Sequence, residues 1–202
     1  MNARIARNAG LATLAAVGVA LASSRGRLRE ADDRLFKRIN RDRGPAADRF
    51  FDRVTDLGSF WAAAGAATAI AATGRRRAAA DALGAASAAW LLGQGVKKLF
   101  DRARPYDAMT EMRLLIGRQR GTSWPSSHPL VLTAFLTVAA RDLGVGPAGR
   151  AGLGGLAGLV AYSRVHNGVH YPSDVAGGLL LGRAFGRVWA SAVSPALAGD
   201  GR

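Results

Sequence analysis

Long apolar runs alternate with short, strongly charged segments along the chain. The runs fall at residues 9–23, 57–73, 78–96, about 124–140, 148–162 and 175–194, and Arg, Asp, Gly and Pro fill the intervals. Six helices is the count this pattern predicts. Polar faces are nearly missing: residues 57–73 hold only Ser and Thr as polar side chains, where a surface helix of a soluble protein carries a charged stripe. Several runs are short against the roughly 20 residues that cross a bilayer. Mean hydropathy is only +0.07, so hydropathy alone also accommodates a soluble bundle. The missing polar faces decide for an all-α, membrane-embedded fold, a six-helix transmembrane bundle forming one domain over residues 1–202.

Residues 24–56, between the first and second runs, carry ten Lys or Arg and seven Asp or Glu. Leu28, Leu35 and Ile39 share one helical face and Phe50, Phe51, Val54 and Leu57 another, which predicts two amphipathic helices along the membrane surface; a solvated connector is the other reading. The first run follows Arg4 and Arg7, yet Ser23, Ser24 and Arg25 make a poor cleavage site, so it reads as a first span rather than a secretion signal. Glycines at 152, 154, 155 and 158, and at 177, 178, 182 and 186, predict small faces for close helix contact. Arg183 and Arg187 share a face and read as anchors at a membrane boundary.

A formal net charge of +14 over 202 residues suits nucleic acid, an anionic membrane or a phosphorylated substrate. No zinc-finger spacing occurs, and the few aromatics do not interleave with basic residues, which argues against nucleic acid. With no cysteine, thiol nucleophiles and thiolate metal sites are excluded. Three histidines, His128, His166 and His170, stand apart from any ligand-spaced cluster, so catalysis is expected without a metal.

Chemistry gathers in three segments. Residues 163–174, Ser-Arg-Val-His-Asn-Gly-Val-His-Tyr-Pro-Ser-Asp, set a cation, two imidazoles and a carboxylate around a proline. Pro172 suits the first turn of a helix and pushes Tyr171 into an extended conformation. His170 then sits just before the helix, and Asp174 in its first turn reaches back to orient the imidazole. A histidine so held is a candidate nucleophile or base. Free N–H groups at the helix start, with Arg164, favour an anion. Simple capping is the competing account of His170 and Asp174.

In Lys97-Lys98-Leu99-Phe100-Asp101-Arg102-Ala103-Arg104-Pro105, the spacing of seven predicts Lys97 and Arg104 on one side of a helix that Pro105 stops. Lys98 and Arg102, four apart, read equally well as solvated. In Ser123-Trp124-Pro125-Ser126-Ser127-His128-Pro129, cap residues and an imidazole precede an apolar run. A plain cap, and an interfacial structural role for His128, are the alternatives. Two crossings, 124–140 and 148–162, return the chain to the face it left. Lys97, Arg104, Ser126, His128, Arg164, His170 and Asp174 would therefore meet on one side, with Arg141 and Arg150 on the other.

These three segments, in order and suitably spaced, resemble the type 2 phosphatidic acid phosphatase superfamily. Lys97 to Arg104-Pro105 fits its K-x6-R-P motif, Pro125-Ser126-Ser127-His128 its P-S-G-H motif, and Ser163-Arg164 through His170 to Asp174 its S-R-x5-H-x3-D motif, and the surrounding helices extend the likeness over roughly residues 24–194. Ser127 stands where glycine is usual, and Pro129 removes one N–H from the helix start. The resemblance implies a metal- and cofactor-free membrane lipid phosphatase. Lys97, Arg104, Ser126, Ser127 and Arg164 would bind phosphate, His170 would attack phosphorus to give a phosphohistidine, Asp174 would hold its tautomer, and His128 would be the general acid. Implied partners are the bilayer and a phosphorylated lipid, foremost an undecaprenyl-type diphosphate, with phosphatidate or phosphatidylglycerophosphate as alternatives; nothing indicates an oligomeric state. Residues 105–122 read as a mobile lip over tail and headgroup, or as an ordinary loop. Arg75, Arg76 and Arg77 favour the cytoplasmic side, which puts the site on the outer face of the plasma membrane. Outside this class stand a non-catalytic lipid-binding membrane protein and a haloperoxidase.

Overall fold

The computed structural model describes residues 3–22 and 26–195; Ser23, Ser24 and Arg25 lie outside the described residues. All described elements are helical. The six apolar runs become α1 (Ala3–Ala22), α4 (Phe60–Ala72), α5 (Arg76–Lys97), α7 (Ser127–Asp142), α8 (Pro147–His166) and α9 (Pro172–Val188), the last continued by a π-helical turn, Trp189–Val193. Between α1 and α4 lie α2 (Gly26–Ile39) and α3 (Pro45–Asp56), and α6 (Pro105–Ala108) is a single turn. Among the described residues only α1 is by itself long and apolar enough to cross a membrane.

Local chemistry sets the boundaries. Pro45, Pro105, Pro147 and Pro172 each open a helix in its first turn, where a missing N–H costs nothing. Ser59 caps α4 by accepting from the Ala62 N–H at 3.1 Å. The core is built from small side chains: Ala82, Ala85, Ala86 and Ala89 of α5 are fully buried with Ala134 of α7. Trp124, Leu130, Phe135 and Val138 fill the remaining space around them.

Small residues let α9 lie close on α7. A Cβ on Gly178 would meet the Ser126 carbonyl at 2.5 Å and Pro129 at 2.9 Å; one on Gly186 would meet Thr137 at 2.8 Å. The glycine stripe of α9 therefore makes the close contact expected of it. That of α8 does not. A Cβ on Gly152, Gly154, Gly155 or Gly158 would meet nothing within 4 Å, so these glycines leave space along α8 rather than bring in a neighbour.

The 24–56 connector is helical, and α2 turns Asp32 and Phe36, one turn apart and buried, inward rather than Leu28 and Leu35, which are exposed. Phe36 packs on Tyr171 with ring centroids 5.7 Å apart, and Asp32 enters a polar network described below.

Gly178→Ala is expected to cost about 1–3 kcal/mol of stability because backbone atoms of α7 cannot move aside. Gly155→Ala should be neutral or gain up to about 1 kcal/mol from helix propensity. Thermal midpoints in detergent measure both; equal effects would contradict the assignment of the two faces.

Candidate active site

One end of the bundle gathers the C-termini of α5 and α8 and the N-termini of α7 and α9. Lys97, at the last position of α5, donates to the Thr122 carbonyl at 2.8 Å. Contrary to expectation, helix α5 stops there, and Lys97 and Arg104 do not share a helix. Residues 98–104 run as turn and extended chain because Pro105 drives Arg104 to φ −76°, ψ 161° and the Thr122 hydroxyl takes the Lys97 carbonyl at 3.1 Å. Pro105 starts α6 instead of ending α5. Arg104 still reaches the same end: its Nε donates to the Gly121 carbonyl at 2.9 Å and its guanidinium to the Val169 carbonyl at 3.0 Å. The same guanidinium nitrogen lies 3.3 Å from His170 Nε2.

Tyr171 is extended and Pro172 opens α9, as the sequence predicts. His170, buried, turns Nδ1 toward the Asp174 carboxylate at 3.5 Å and Nε2 toward Arg104. Asp174 is held from several sides. One oxygen accepts from Ser123 Oγ at 2.5 Å and the Tyr171 N–H at 2.8 Å. The other accepts from Arg102 at 2.7 Å. The Ser126 N–H donates to the Asp174 carbonyl at 3.1 Å, joining the start of α7 to the start of α9.

Ser126 caps α7, with Ser127 and His128 opening it, and Arg164 is buried in the last turn of α8. Arg164 donates to Thr55 of α3 at 2.8 Å, while its Nε and the buried Ser126 hydroxyl have no hydrogen-bond partner. Such orphaned buried donors are groups that a bound anion would satisfy. Burial pushes the His170 imidazole well below its ordinary pKa, reinforced by the charges of Arg104, Arg164, Lys97 and His128, so a neutral nitrogen faces the cationic pocket.

Arg102, Asp32, Ser173 and Ser123 were not singled out by sequence. Arg102 is buried, not solvated, and donates to Asp32 at 2.6 Å as well as to Asp174; its guanidinium sits 4.3 Å over the Tyr171 ring. Asp32 also accepts from the Ser173 N–H at 2.9 Å and its hydroxyl at 2.5 Å. Asp32 lies seventy residues before Arg102, and no spacing rule connects them. His166 stands apart from the cluster. It is fully buried, with Nε2 2.9 Å from Asp48 of α3 and its ring 4.6 Å from that of Phe51.

Residues 105–122 are tied down, not a free lip. Arg113 bonds Asp48 at 2.5 Å through its guanidinium and Asn40 at 2.7 Å through its N–H, and Leu115 N–H donates to the Asn167 carbonyl at 3.2 Å. Gly168, at φ +82°, has the Arg113 carbonyl and Met112 where a side chain would be. Only glycine suits that conformation and that space, and the turn so fixed delivers Val169 and His170 to Arg104.

A model of the PAP2 superfamily matches residues 78–197. An undecaprenyl-diphosphatase of Sulfolobus acidocaldarius is 38% identical over 93 residues, 46% of this chain and 44% of that protein; the match thus spans less than half the relative's length. The crystal structure of Aquifex aeolicus LpxE superposes with a TM-score of 0.71 at 27% identity, covering 78% of this chain and 93% of that one. A transmembrane PAP2-type phosphatidylglycerolphosphate phosphatase from Bacillus subtilis superposes with a TM-score of 0.74 over 96% of this chain and 98% of its own, at 20% identity, a likeness of fold alone.

Arg102→Gln removes charge-assisted bonds to two buried carboxylates and is expected to cost about 3–5 kcal/mol. Lys98→Gln, on the exposed neighbour, should stay within about 0.5 kcal/mol of wild type. Equal thermal midpoints for the two variants would contradict the clamp.

Proposed function

Because the chain belongs to the PAP2 superfamily, we propose that it is a metal-independent membrane lipid phosphatase whose reaction runs through a phosphohistidine at His170. What supports this reading is His170 Nε2 lying 3.3 Å from the Arg104 guanidinium, with Arg164, Lys97 and His128 near enough to act on the imidazole by charge and with buried Arg164 and Ser126 donors left without partners. Phosphoryl transfer spreads charge over three equatorial oxygens, so fixed donors aimed at them supply most of the acceleration. Lys97, Arg104 and Arg164 provide positive charge, and the Ser126 hydroxyl with the Ser127 and His128 N–H groups completes the cradle.

His170 Nε2 attacks phosphorus, a P–N bond forms, and the bond to the leaving oxygen breaks. His128 delivers a proton to that oxygen. The Asp174 carboxylate, 3.5 Å from Nδ1, favours the tautomer that leaves Nε2 free and offsets the charge of the phosphoimidazolium. Water then attacks phosphorus, His128 takes its proton, and inorganic phosphate leaves with His170 neutral again.

The lipid character of the substrate rests on the membrane reading, a six-span bundle with α2 and α3 at the interface. Large apolar side chains point outward: Trp61 is 80% exposed, Leu99 78%, Leu14 69% and Leu91 63%, a surface suited to lipid. Arg75–Arg77, Arg141 and Arg150 sit at the ends of helices opposite the site and favour the cytoplasm for that end and the outer face for the site, although the basic 24–56 connector then lies outside as well. An undecaprenyl-type diphosphate is the preferred substrate, supported by the name of the Sulfolobus relative.

The test is phosphate release in detergent, with EDTA, from a polyprenyl diphosphate, phosphatidate and phosphatidylglycerophosphate. Turnover should be fastest on the diphosphate and absent in His170→Ala; retained turnover in that variant overturns the mechanism. His128→Ala should cost of order 100-fold to 10,000-fold on a monoester, whose alkoxide needs the proton, and distinctly less on a diphosphate. Equal losses would remove the general-acid assignment. Protonation of His170 abolishes the attacking lone pair, and its lowered pKa moves that loss to lower pH. The acid limb of kcat/KM belonging to the enzyme should lie below pH 6.5 and stay put when substrates of different ionisation are compared. A limb at or above 6.5 on every substrate would contradict the neutral pocket.

A further inference from the structure

We propose a second anion site, at the other end of the bundle, that holds the phosphodiester headgroup of an anionic glycerophospholipid from the leaflet opposite the catalytic cluster. It goes beyond the phosphatase reading and shares with it only the membrane setting. A cavity of about 570 Å³ opens there, lined by Arg4, Arg141, Arg150, Arg183 and Arg187 and by no acidic residue. The arginines come from α1, α7, α8 and α9 and border one hollow; Arg4, Arg141, Arg150 and Arg183 are exposed at it, Arg187 is half-buried, and Arg141 also meets Asp142 at 3.5 Å.

Arg183 and Arg187 lie 11 and 15 residues beyond Pro172, about 16 and 22 Å along α9, with Arg187 in the last turn of the helix, at the end away from His170. Among the described residues no carboxylate pairs with Arg150, Arg183 or Arg187. Like charges one turn apart repel, and unpaired charge within a span is costly. A bridging anion removes both penalties. Thr133, also in the lining, has a buried hydroxyl without a partner.

The ligand is amphiphilic because the hollow is. Leu136 and Leu153 form apolar wall beside the arginines, and Gly154, with nothing within 4 Å of its missing Cβ, leaves room against α8. Gly154, one of the α8 glycines that make no close helix contact, acquires a purpose here: it keeps the flank of the cavity open to an acyl chain. A volume of this size is typical of pockets that enclose small ligands.

The test is binding, not turnover, so failure of the phosphatase reading would leave it standing. Full-length protein in zwitterionic detergent is titrated with phosphatidylglycerol, phosphatidylcholine or inorganic phosphate and read by native mass spectrometry and thermal midpoint. Phosphatidylglycerol should bind and stabilise the wild type, and phosphatidylcholine should not. The double variant Arg183→Gln/Arg187→Gln should weaken phosphatidylglycerol binding at least tenfold, with Arg183→Lys/Arg187→Lys keeping most of it. Gly154→Leu fills the hollow without touching a charge and should also block binding. Arg164→Met, at the catalytic end, should bind like wild type. Unchanged phosphatidylglycerol binding in both the double Gln and the Gly154→Leu variants, or loss of it in Arg164→Met, would overturn the proposal. Inorganic phosphate competing as well as the lipid would overturn its lipid character.

Discussion

The structure of the catalytic end depends on one buried carboxylate. Asp174 is fully buried and receives Arg102, Ser123 and the Tyr171 N–H while facing His170. Each partner comes from a different motif or its flank, so three distant stretches of chain are fastened to one side chain. A buried carboxylate stripped of its partners would be severely destabilising, whereas one satisfied on both oxygens fixes geometry. Arg102 extends the fastening to Asp32, which ties α2 to the start of α9. The carboxylate that faces the imidazole is therefore fixed by a network joining α2, Arg102, Ser123 and the start of α9.

Backbone packing makes that network possible. Gly178 brings α9 so close to α7 that the Ser126 carbonyl lies where a Cβ would be, and the Ser126 N–H reaches the Asp174 carbonyl. The cap of one helix and the first turn of the next thus share a hydrogen bond. On the far side, the Gly168 turn and the carbonyls of residues 120, 121 and 169 set the Arg104 guanidinium beside His170. Small residues and carbonyl oxygens, more than large side chains, determine where the charges stand.

Much of this was legible in the sequence, and the reasons differ by element. The six apolar runs are helices because a long run without a polar face has few other ways to satisfy its backbone. Pro172 announced the start of α9 and the extended Tyr171 through its own stereochemistry. The route from Lys97 to Arg104 was not legible: periodicity suggested a continuous helix, but Pro105 and the Thr122 hydroxyl outweigh it. Arg102 read equally well as solvated because its partners, Asp32 and Asp174, lie seventy or more residues away, and charge patterning reads only neighbours. The α8 glycines matched a contact stripe in composition, yet only packing distinguishes a stripe that touches from one that leaves space.

The central claim is that His170 carries the phosphoryl group covalently. Rapid quenching of the full-length protein with a phosphorus-labelled lipid diphosphate, followed by peptide mass spectrometry under alkaline conditions that preserve phosphohistidine, tests it most directly. The account predicts a transient acid-labile phosphoryl adduct on the peptide containing His170, absent when His170 is replaced and longer-lived when His128 is replaced. Steady turnover with no adduct, or an adduct on another residue, would contradict it.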